Sequence, residues 1–264
     1  MIVKEYVLSR KEAIKEEIAK ASVTPCLAIV QVNDDPASDA YIRGKLKDSA
    51  EVGINALHVK LEPTISEEEL LAKIEELNND PSVHGLIVQM PLPKQISEDK
   101  VKLAVNPTKD VDGFHPLSTF VACTPKGIMN YLTSENTVFA GKNAVVVGRS
   151  NIVGRPMAKL LLDASCNVTV IHSKTTEEDK KKYLANADII VVAVGRKWFL
   201  DKTYTLKESA VIVDVGINRV DGKLYGDVEP DMPVRLQTPV PGGVGLLTRL
   251  ALLENLMEAY NNNR

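Results

Sequence analysis

A serine, a tyrosine and a lysine stand at helical spacing in the stretch DPASDAYIRGKLKD. Ser38, Tyr41 and Lys45 occupy positions i, i+3 and i+7, so a helix would carry all three on one face. Such a pair of phenol and amine can transfer protons. Either the lysine lowers the pKa of the tyrosine, or a partly desolvated lysine acts as the base itself. The same spacing also fits an ordinary surface tyrosine and lysine.

Two further segments place polar groups where ligands could bind. Gln89 ends the apolar run GLIVQ just before Pro-Leu-Pro, and ligands of α/β proteins gather at the carboxyl ends of parallel strands. Asp110 and Asp112 follow in KDVDG, where an aspartate ordinarily makes a turn. A loop-tying hydrogen bond from Gln89 is as good an explanation as a catalytic one.

A glycine-bounded turn, GRSNIVGRP, follows the apolar run AVVV. Gly148 ends the predicted strand and Gly154 begins the predicted helix, which is the context of a phosphate-binding turn. The middle glycine of the usual G-x-G-x-x-G pattern is absent, and Arg149 and Ser150 stand in the turn instead. A tight strand-to-helix turn without a ligand is the alternative.

The next predicted strand ends in IHSKT, without the acidic residue that holds the ribose 2′-hydroxyl of NAD. Ser173 and Lys174 can donate to a 2′-phosphate, and Arg149 can reach the same group as a charged fork. The pattern therefore favours NADP, although a solvated loop would also contain such residues. Gly195 and Gly216 follow two more predicted strands at the same edge of the sheet, where a flat cofactor can approach the backbone.

The elements that would position these residues form two series of alternating strands and helices. The first series has predicted strands at 27–32, 56–61 and 83–90 and helices at 9–21, 36–52 and 66–77. The second has strands at 143–148, 167–172, 187–195 and 210–216 and helices at 125–134, 154–165 and 177–185. Alternation of this kind implies parallel sheets with right-handed crossovers. We expect an α/β protein of two α/β domains with a cleft between them, the second a Rossmann-type NADP-binding domain.

The domain boundaries are predicted in the irregular stretch 106–127 and in the Pro/Gly loop 239–245. Residues 1–118 with the apolar final helix, 246–264, would form one domain, and residues 119–245 the other. The loop PVPGGVG could press its backbone against a flat ligand or simply form an interdomain corner.

Composition excludes several classes of function. The 264 residues carry a formal net charge of −3, with 32 basic and 35 acidic residues interleaved, which argues against nucleic acid or an anionic membrane as a main partner. Cys26, Cys123 and Cys166 lack C-x-x-C spacing and the four histidines lack metal-ligand spacing, so no disulfide framework or metal site is expected. Without an apolar leader or a membrane-length apolar run, a cytoplasmic location is expected.

Taken together, the segments resemble the bifunctional FolD-type methylenetetrahydrofolate dehydrogenases/methenyltetrahydrofolate cyclohydrolases. The motifs that carry the resemblance are DPAS-x-x-Y-x-x-x-K (35–45), GLIVQMPLP (85–93), KDVDGFHP (109–116), CTPKG (123–127), GRSNIVGRP (148–156), HSKT (172–175), DVGIN (214–218) and TPVPGGVG (238–245). They occur in the family's order and span nearly the whole chain, so they are specific jointly although each is weak alone.

The resemblance implies hydride transfer from 5,10-methylenetetrahydrofolate to NADP, followed by hydrolysis of the methenyl product to 10-formyltetrahydrofolate, within one-carbon metabolism and purine biosynthesis. It makes Lys45 the catalytic lysine, Gln89 the glutamine that positions it, and Tyr41 the residue that stacks on the folate. Asp112 would bind the amino edge of the pterin, and Ser38 would line the pocket. The domain of 1–118 and 246–264 thus becomes the folate-binding one.

The resemblance also supplies the remaining contacts and the assembly. The loop Pro241, Gly242 and Gly243 would meet folate and nicotinamide. The cofactor-binding set is then Gly148, Arg149, Ser150, Gly154, Ser173, Gly195, Gly216, Ile217 and Thr248. Members of the family are usually homodimers, so a homodimer is expected.

Four features depart from the family pattern. The run LSTFVACTP after His115 is short, Leu246 and Leu247 stand where the family has Pro-Met, and Asn33 replaces a glycine. Arg249 replaces a small apolar residue near the folate and could meet an acidic tail. None of the four touches Lys45, so both activities are expected.

Three alternatives remain at this point. The chain could be a dehydrogenase of the same family with little cyclohydrolase activity or with NAD as cofactor. It could be a non-catalytic NADP-binding protein, although this leaves the polar residues of the first domain unexplained. It could also be another two-domain NADP enzyme, such as a shikimate-type dehydrogenase.

Overall fold

Short apolar runs form the strands of two separate parallel sheets in the computed structural model, which describes residues 2–262. The helices are α1 (Val3–Ile18), α2 (Pro36–Val52), α3 (Glu67–Asn79), α4 (Glu98–Ala104), α5 (Cys123–Ser134), α6 (Gly154–Asp163), α7 (Glu177–Asn186) and α8 (Val244–Asn262). The strands are β1 (Cys26–Gln31), β2 (Asn55–Lys60), β3 (Gly85–Val88), β4 (Asn143–Val147), β5 (Asn167–Ile171), β6 (Ile189–Val192), β7 (Val211–Asp214), β8 (Asn218–Val220), β9 (Lys223–Tyr225) and β10 (Leu236–Gln237).

The chain divides into two compact units. What we call the first unit comprises Leu8–Cys123 and the residues from Arg249 onward, and the second unit comprises Thr124–Thr248 and the residues up to Val7. The predicted boundaries, 118/119 and 245/246, stay a prediction. Residue 1 and residues 263–264 of the predicted folate-binding domain lie outside the described residues.

The first unit is built on a three-stranded parallel sheet in the order β2-β1-β3. The central strand β1 is buried along its whole length, as expected for a strand covered on both faces. Leu70 and Ile74 of α3 pack into the cluster of apolar residues on this sheet. On β3, the absent side chain of Gly85 leaves room for Leu256, so the final helix α8 packs directly against the strand.

The second unit is built on a five-stranded parallel sheet in the order β10-β7-β6-β4-β5. Val147 of β4 pairs with both Ile171 of β5 and Val192 of β6, so the carboxyl ends of these three strands lie side by side. Together the two units confirm the predicted α/β class with parallel sheets and a Rossmann-type second domain.

Several elements were not foreseen: the short helix α4, the two-residue strand β10 and the antiparallel hairpin of β8 and β9. Asp221 and Gly222, both at positive φ, connect the strands of the hairpin, which is the chemistry of a type I′ turn. Within residues 2–262, no helix combines the length and the apolar character needed to span a bilayer.

Candidate functional site

Helix α2 carries the predicted proton-transfer residues. Asp35 caps its start, accepting hydrogen bonds from the backbone N–H of Ser38 at 2.8 Å and from its hydroxyl at 3.0 Å. Pro36 follows at the first helical position and Gly53, at φ +91°, ends the helix, so both ends follow ordinary capping rules. Ser38 is buried by this arrangement.

Lys45 and Gln89 are brought together by α2 and the carboxyl end of β3. The Lys45 Nζ donates to Gln89 Oε1 at 3.1 Å, and the Gln89 Nε2 donates to the Met90 carbonyl at 2.8 Å. The Ser38 hydroxyl lies 3.4 Å from the same Met90 carbonyl. Three of the predicted residues therefore converge on one strand end, where the Gln89 amide is held in a fixed orientation.

Tyr41 lies one turn before Lys45 on α2. Burial raises the pKa of the Tyr41 phenol, and the positive charge of Arg249 offsets this only in part. Lowering of this pKa by a lysine stays a prediction. Tyr41 is 41% exposed, so a flat ligand can reach it to stack.

The two loop aspartates have different environments. The carboxylate of Asp110 is buried and accepts the backbone N–H of His115 at 2.7 Å; burial raises its pKa. Asp112 is half-buried and lines a small cavity beside β3 together with Met90 and Phe114. Both aspartates line this cavity, but Asp110 is committed to the loop backbone, whereas Asp112 is the more exposed of the two.

The short segment after His115 folds back on this loop. Gly113 lies at φ +73°, and a side chain there would meet the backbone nitrogen of Ala122 at 2.6 Å. The Ser118 hydroxyl donates to the Asp110 carbonyl at 3.1 Å. The shortened run therefore packs on the KDVDG loop, through the close approach of Gly113 to Ala122 and the hydrogen bond from the Ser118 hydroxyl.

Arg249 pairs with a carboxylate inside the first unit, and its contact with an acidic ligand tail stays a prediction. Its Nε lies 2.7 Å from Asp48 Oδ2, and Lys11 Nζ lies 2.7 Å from Asp48 Oδ1. The guanidinium packs against Gly44, where an added side chain would collide with it. Asp48 thus pairs with two cations, one from α1 and one from α8.

The glycine-bounded turn of the second unit has the geometry of a phosphate-binding turn. Gly148 lies at φ +115°, and Gly154 packs so closely that a side chain would come within 2.5 Å of the Gly148 carbonyl oxygen. The Ser150 hydroxyl accepts the backbone N–H groups of Val153 at 3.2 Å and Gly154 at 3.3 Å, so it ties the turn to the start of α6. The turn therefore presents the positive end of a ten-residue helix.

The residues expected at a 2′-phosphate stand on adjacent strand ends. Val147 of β4 pairs with Ile171 of β5. Arg149 lies two residues after Val147, and Ser173 lies two residues after Ile171, so the two residues follow neighbouring strands at equivalent positions. Both side chains are exposed, as is Lys174. The two cations and the hydroxyl fit the 2′-phosphate of NADP. The carboxylate that would bind the ribose 2′-hydroxyl of NAD is absent from this strand end.

The two other glycine turns differ from each other. Gly195 lies at φ +65°, and a side chain there would meet nothing within 4 Å. Gly216, in contrast, packs against the carboxylate of Asp227, which occupies the space of a side chain. Ile217 beside it is 50% exposed. A glycine is therefore required at position 216 because the Asp227 carboxylate fills the place of a side chain, which the sequence does not indicate. At Gly195 that place is empty, so a ligand can approach the turn.

Asp214 and Asp227 are the polar residues of the second unit that sequence reasoning missed. Both are almost completely buried, and Asp227 accepts the backbone N–H groups of Val194, Gly195 and Arg196. Nothing in the sequence indicates this arrangement, because the two aspartates stand in ordinary turn contexts, DVG and GDV.

The Pro/Gly loop before α8 exposes Pro241 and Gly242, and Gly242 lies at φ +94°. Gly243 is buried, with its backbone against the Pro239 carbonyl. Thr248, one turn into α8, exchanges a hydrogen bond with the Thr124 hydroxyl at 2.9 Å and donates to the Val244 carbonyl at 3.0 Å. Its hydroxyl therefore joins α5 to α8, and its contact with a cofactor stays a prediction.

Two family models match the chain. Residues 2–112 match the catalytic domain of tetrahydrofolate dehydrogenase/cyclohydrolase, and residues 122–264 match the NAD(P)-binding domain of the same enzymes.

Individual proteins give the same result. The chain is 46% identical to the bifunctional protein FolD of Halalkalibacterium halodurans, over 97% of this chain and 96% of that protein. The crystal structure of the bifunctional FolD dehydrogenase/cyclohydrolase of Campylobacter jejuni superposes with a TM-score of 0.94 at 41% identity, covering 99% and 98% of the two chains. The Trypanosoma brucei dehydrogenase-cyclohydrolase, solved with NADP and an inhibitor, gives 0.93 at 28% identity, covering 99% and 97%.

Proposed function

Because the chain belongs to the tetrahydrofolate dehydrogenase/cyclohydrolase family, we propose that it oxidises 5,10-methylenetetrahydrofolate with NADP and hydrolyses the methenyl product to 10-formyltetrahydrofolate. The observation that carries the proposal is the hydrogen bond of 3.1 Å between Lys45 and Gln89, at a strand end lined by Ser38. A nucleotide-binding protein without catalysis leaves the grouping of Lys45, Gln89 and Ser38 unexplained.

Hydrolysis depends on Lys45. As water adds to the methenyl carbon, its oxygen must lose a proton, and we assign the Lys45 amine to take it. The hydrogen bond to Gln89 Oε1 fixes the position of that amine through a neutral acceptor. The same lysine can return a proton to the ring nitrogen that leaves as the five-membered ring opens.

Binding of the folate is assigned to the groups around this lysine. The exposed face of Tyr41 stacks on the pterin. The Asp112 carboxylate accepts hydrogen bonds from the amino edge of the pterin, for which two acceptor oxygens are suited. Ser38 closes the pocket beneath them, and the loop Pro241, Gly242 and Gly243 supplies backbone groups to the folate and the nicotinamide.

The second unit binds NADP, which accepts the hydride when bound. Gly148, Ser150 and Gly154 form the turn for the pyrophosphate at the start of α6. Arg149 and Ser173 hold the 2′-phosphate, with Lys174 beside them. The remaining contacts are assigned to Gly195, Gly216, Ile217 and Thr248.

The proposal extends to the domains and the assembly. Residues 1–118 with 246–264 form the folate-binding domain, and residues 119–245 form the NADP-binding domain. The proposed enzyme acts in the cytoplasm as a homodimer, the usual assembly of the family.

One assay separates this function from its alternatives. Purified protein is mixed with 5,10-methylenetetrahydrofolate and NADP or NAD, and samples quenched in acid separate the NADPH formed from the methenyl compound accumulated. NADPH without accumulated methenyl compound is expected, with NADP preferred. Accumulation in step with NADPH would identify a monofunctional dehydrogenase. No reduced cofactor would leave a non-catalytic NADP-binding protein or an NADP enzyme with another substrate.

A further inference from the structure

A single buried carboxylate accepts hydrogen bonds from three successive backbone N–H groups of the turn that follows β6. The Asp227 side chain accepts the N–H groups of Val194 at 2.7 Å and Gly195 at 2.9 Å through Oδ2, and that of Arg196 at 2.8 Å through Oδ1. Asn218 adds its side-chain amide to Oδ1 at 2.9 Å. Each oxygen thus has two donors, which is the arrangement that a fully buried carboxylate requires.

A second buried carboxylate joins this one to the turn that follows β7. Asp214 Oδ1 accepts the N–H of Gly216 and the N–H of Asp227, each at 2.9 Å, and its Oδ2 accepts that of Val228 at 2.9 Å. Gly226 packs so closely on the Asp214 carboxylate that no side chain would fit there. The two turns are therefore held by one continuous set of hydrogen bonds.

The geometry leaves the ligand-facing side of these turns open. Gly195, whose N–H is bound by Asp227 behind the turn, has no atom within 4 Å of the place where a side chain would stand. Ile217, next to Gly216, is half exposed. Asp227 therefore lies behind a backbone surface and shapes it without occupying it.

We propose that Asp227 is a positioning residue for NADP: it sets the Val194–Arg196 turn and, through Asp214, the Gly216–Ile217 turn in the conformation that receives the cofactor. This inference rests on the proposed function, which assigns Gly195, Gly216 and Ile217 to NADP. It concerns the dehydrogenase step alone, because hydrolysis of methenyltetrahydrofolate consumes no cofactor.

The test is the variant Asp227→Asn. The asparagine side chain has one oxygen and one NH₂ group in place of the two carboxylate oxygens. In either orientation, the NH₂ group would face two N–H donors with which it cannot form a hydrogen bond. We expect the KM for NADP to rise roughly 10- to 100-fold, as the loss of hydrogen bonds to a charged group implies, while the kcat for methenyltetrahydrofolate hydrolysis is unchanged. Asp231→Asn, an exposed aspartate of the same unit, is the matched control and should change neither.

A structural defect would give another pattern. If Asp227 served only to stabilise the fold, soluble Asp227→Asn protein would lose both activities together or would bind NADP normally, and either result would overturn the proposal. Should this variant not fold, Asn218→Ala removes one donor without stranding the carboxylate. We expect it to give a smaller rise in the KM for NADP with hydrolysis intact, and an unchanged KM would overturn the proposal.

Binding can be followed without turnover, since Trp198, the only tryptophan, lies two residues beyond Arg196. Titration of the protein with NADP, monitored by tryptophan emission, should show weaker binding to Asp227→Asn than to the wild type. A wild-type protein that binds no NADP would contradict the proposed function itself, whereas equal binding by the two proteins contradicts only the role of Asp227.

Discussion

The amine of Lys45 donates to Oε1 of Gln89 across 3.1 Å, which joins α2 to the carboxyl end of β3. Gln89 is itself fixed, because its amide nitrogen donates to the Met90 carbonyl at 2.8 Å. The lysine is therefore held by a neutral group whose orientation is set by the backbone. This arrangement holds the amine at a strand end through an amide oxygen.

The variant Gln89→Glu replaces that neutral partner by a negative charge of nearly the same shape. A hydrogen bond to a charged acceptor is about twice as strong as one to a neutral amide oxygen, so the carboxylate would hold the Lys45 amine more tightly than Gln89 does. We therefore expect the kcat for methenyltetrahydrofolate hydrolysis to fall, because the amine is less free to accept a proton from water. The loss of methenyl absorbance measures this rate.

The exposed Gln95→Glu introduces the same charge elsewhere in the first unit and is the control. A Gln89→Glu enzyme with the hydrolysis rate of the wild type would show that Lys45 does not need a neutral partner.

Cofactor preference depends on the side chains beyond β4 and β5. Removing the guanidinium and the hydroxyl in Arg149→Ala/Ser173→Ala should weaken NADP binding roughly 10- to 100-fold, the range expected for lost charge-assisted hydrogen bonds. NAD, which has no 2′-phosphate, should lose far less. Lys159→Ala, an exposed cation on α6, is the control, and dissociation constants for both nucleotides are the measurement. Equal losses for NADP and NAD would contradict the 2′-phosphate assignment.

The buried pairing of Asp48 with Lys11 and Arg249 makes a specific prediction about stability. Asp48→Ala leaves Lys11 with Glu51 as its remaining partner and removes the carboxylate beside Arg249, and breaking such a buried pair costs about 3–5 kcal/mol. Asp34→Ala, in contrast, removes an exposed partner of Lys60 and should cost about 0–1 kcal/mol. Urea unfolding measures both. A loss at Asp48 as small as that at Asp34 would show that the pairing with Asp48 does not stabilise the fold.

Asp214 should make stability depend on pH. Burial raises the pKa of this carboxyl from an ordinary 3.8 to about 6, so the folded protein binds its proton more tightly than the unfolded chain. The contribution of Asp214 to the free energy of unfolding is therefore greatest below about pH 4 and decreases, by about 3 kcal/mol, as pH rises through about 6.

The variant Asp214→Asn lacks this titration. Relative to Asp214→Asn, the wild type should lose about 3 kcal/mol of unfolding free energy between about pH 4 and about pH 7, measured by urea unfolding at each pH. A difference between the two proteins that does not change with pH would contradict the raised pKa.

The sequence predicts most of the fold because its strong signals are periodic. Helix α2 begins after its capping residue Asp35 and ends before Gly53, and β1 is the buried apolar run that was expected. Helix α4 was missed because it is short and buries a single residue, Val101. The hairpin of β8 and β9 was missed although its turn, Asp221-Gly222, carries a recognisable signal.

The site was predicted less evenly than the fold. Lys45 and Gln89 could be proposed because each stands at a predictable place, a helix face and a strand end. Their hydrogen bond, across 44 positions of sequence, depends on tertiary packing. The roles of Asp227 behind Gly216 and of Asp48 beside Arg249 follow from contacts between distant segments, for which a single sequence contains no periodic signal.

The most direct test of the account is the hydrolysis of 5,10-methenyltetrahydrofolate by the wild type and by Lys45→Met, followed by the loss of methenyl absorbance. Lys47→Met, an exposed lysine on the same helix, is the control, and NADP binding is measured on each protein. We expect Lys45→Met to hydrolyse the substrate about 100-fold more slowly or worse, with NADP affinity and the Lys47→Met rate unchanged. Hydrolysis by Lys45→Met at the wild-type rate would contradict the central claim that this lysine, held by Gln89, is the base of the cyclohydrolase reaction.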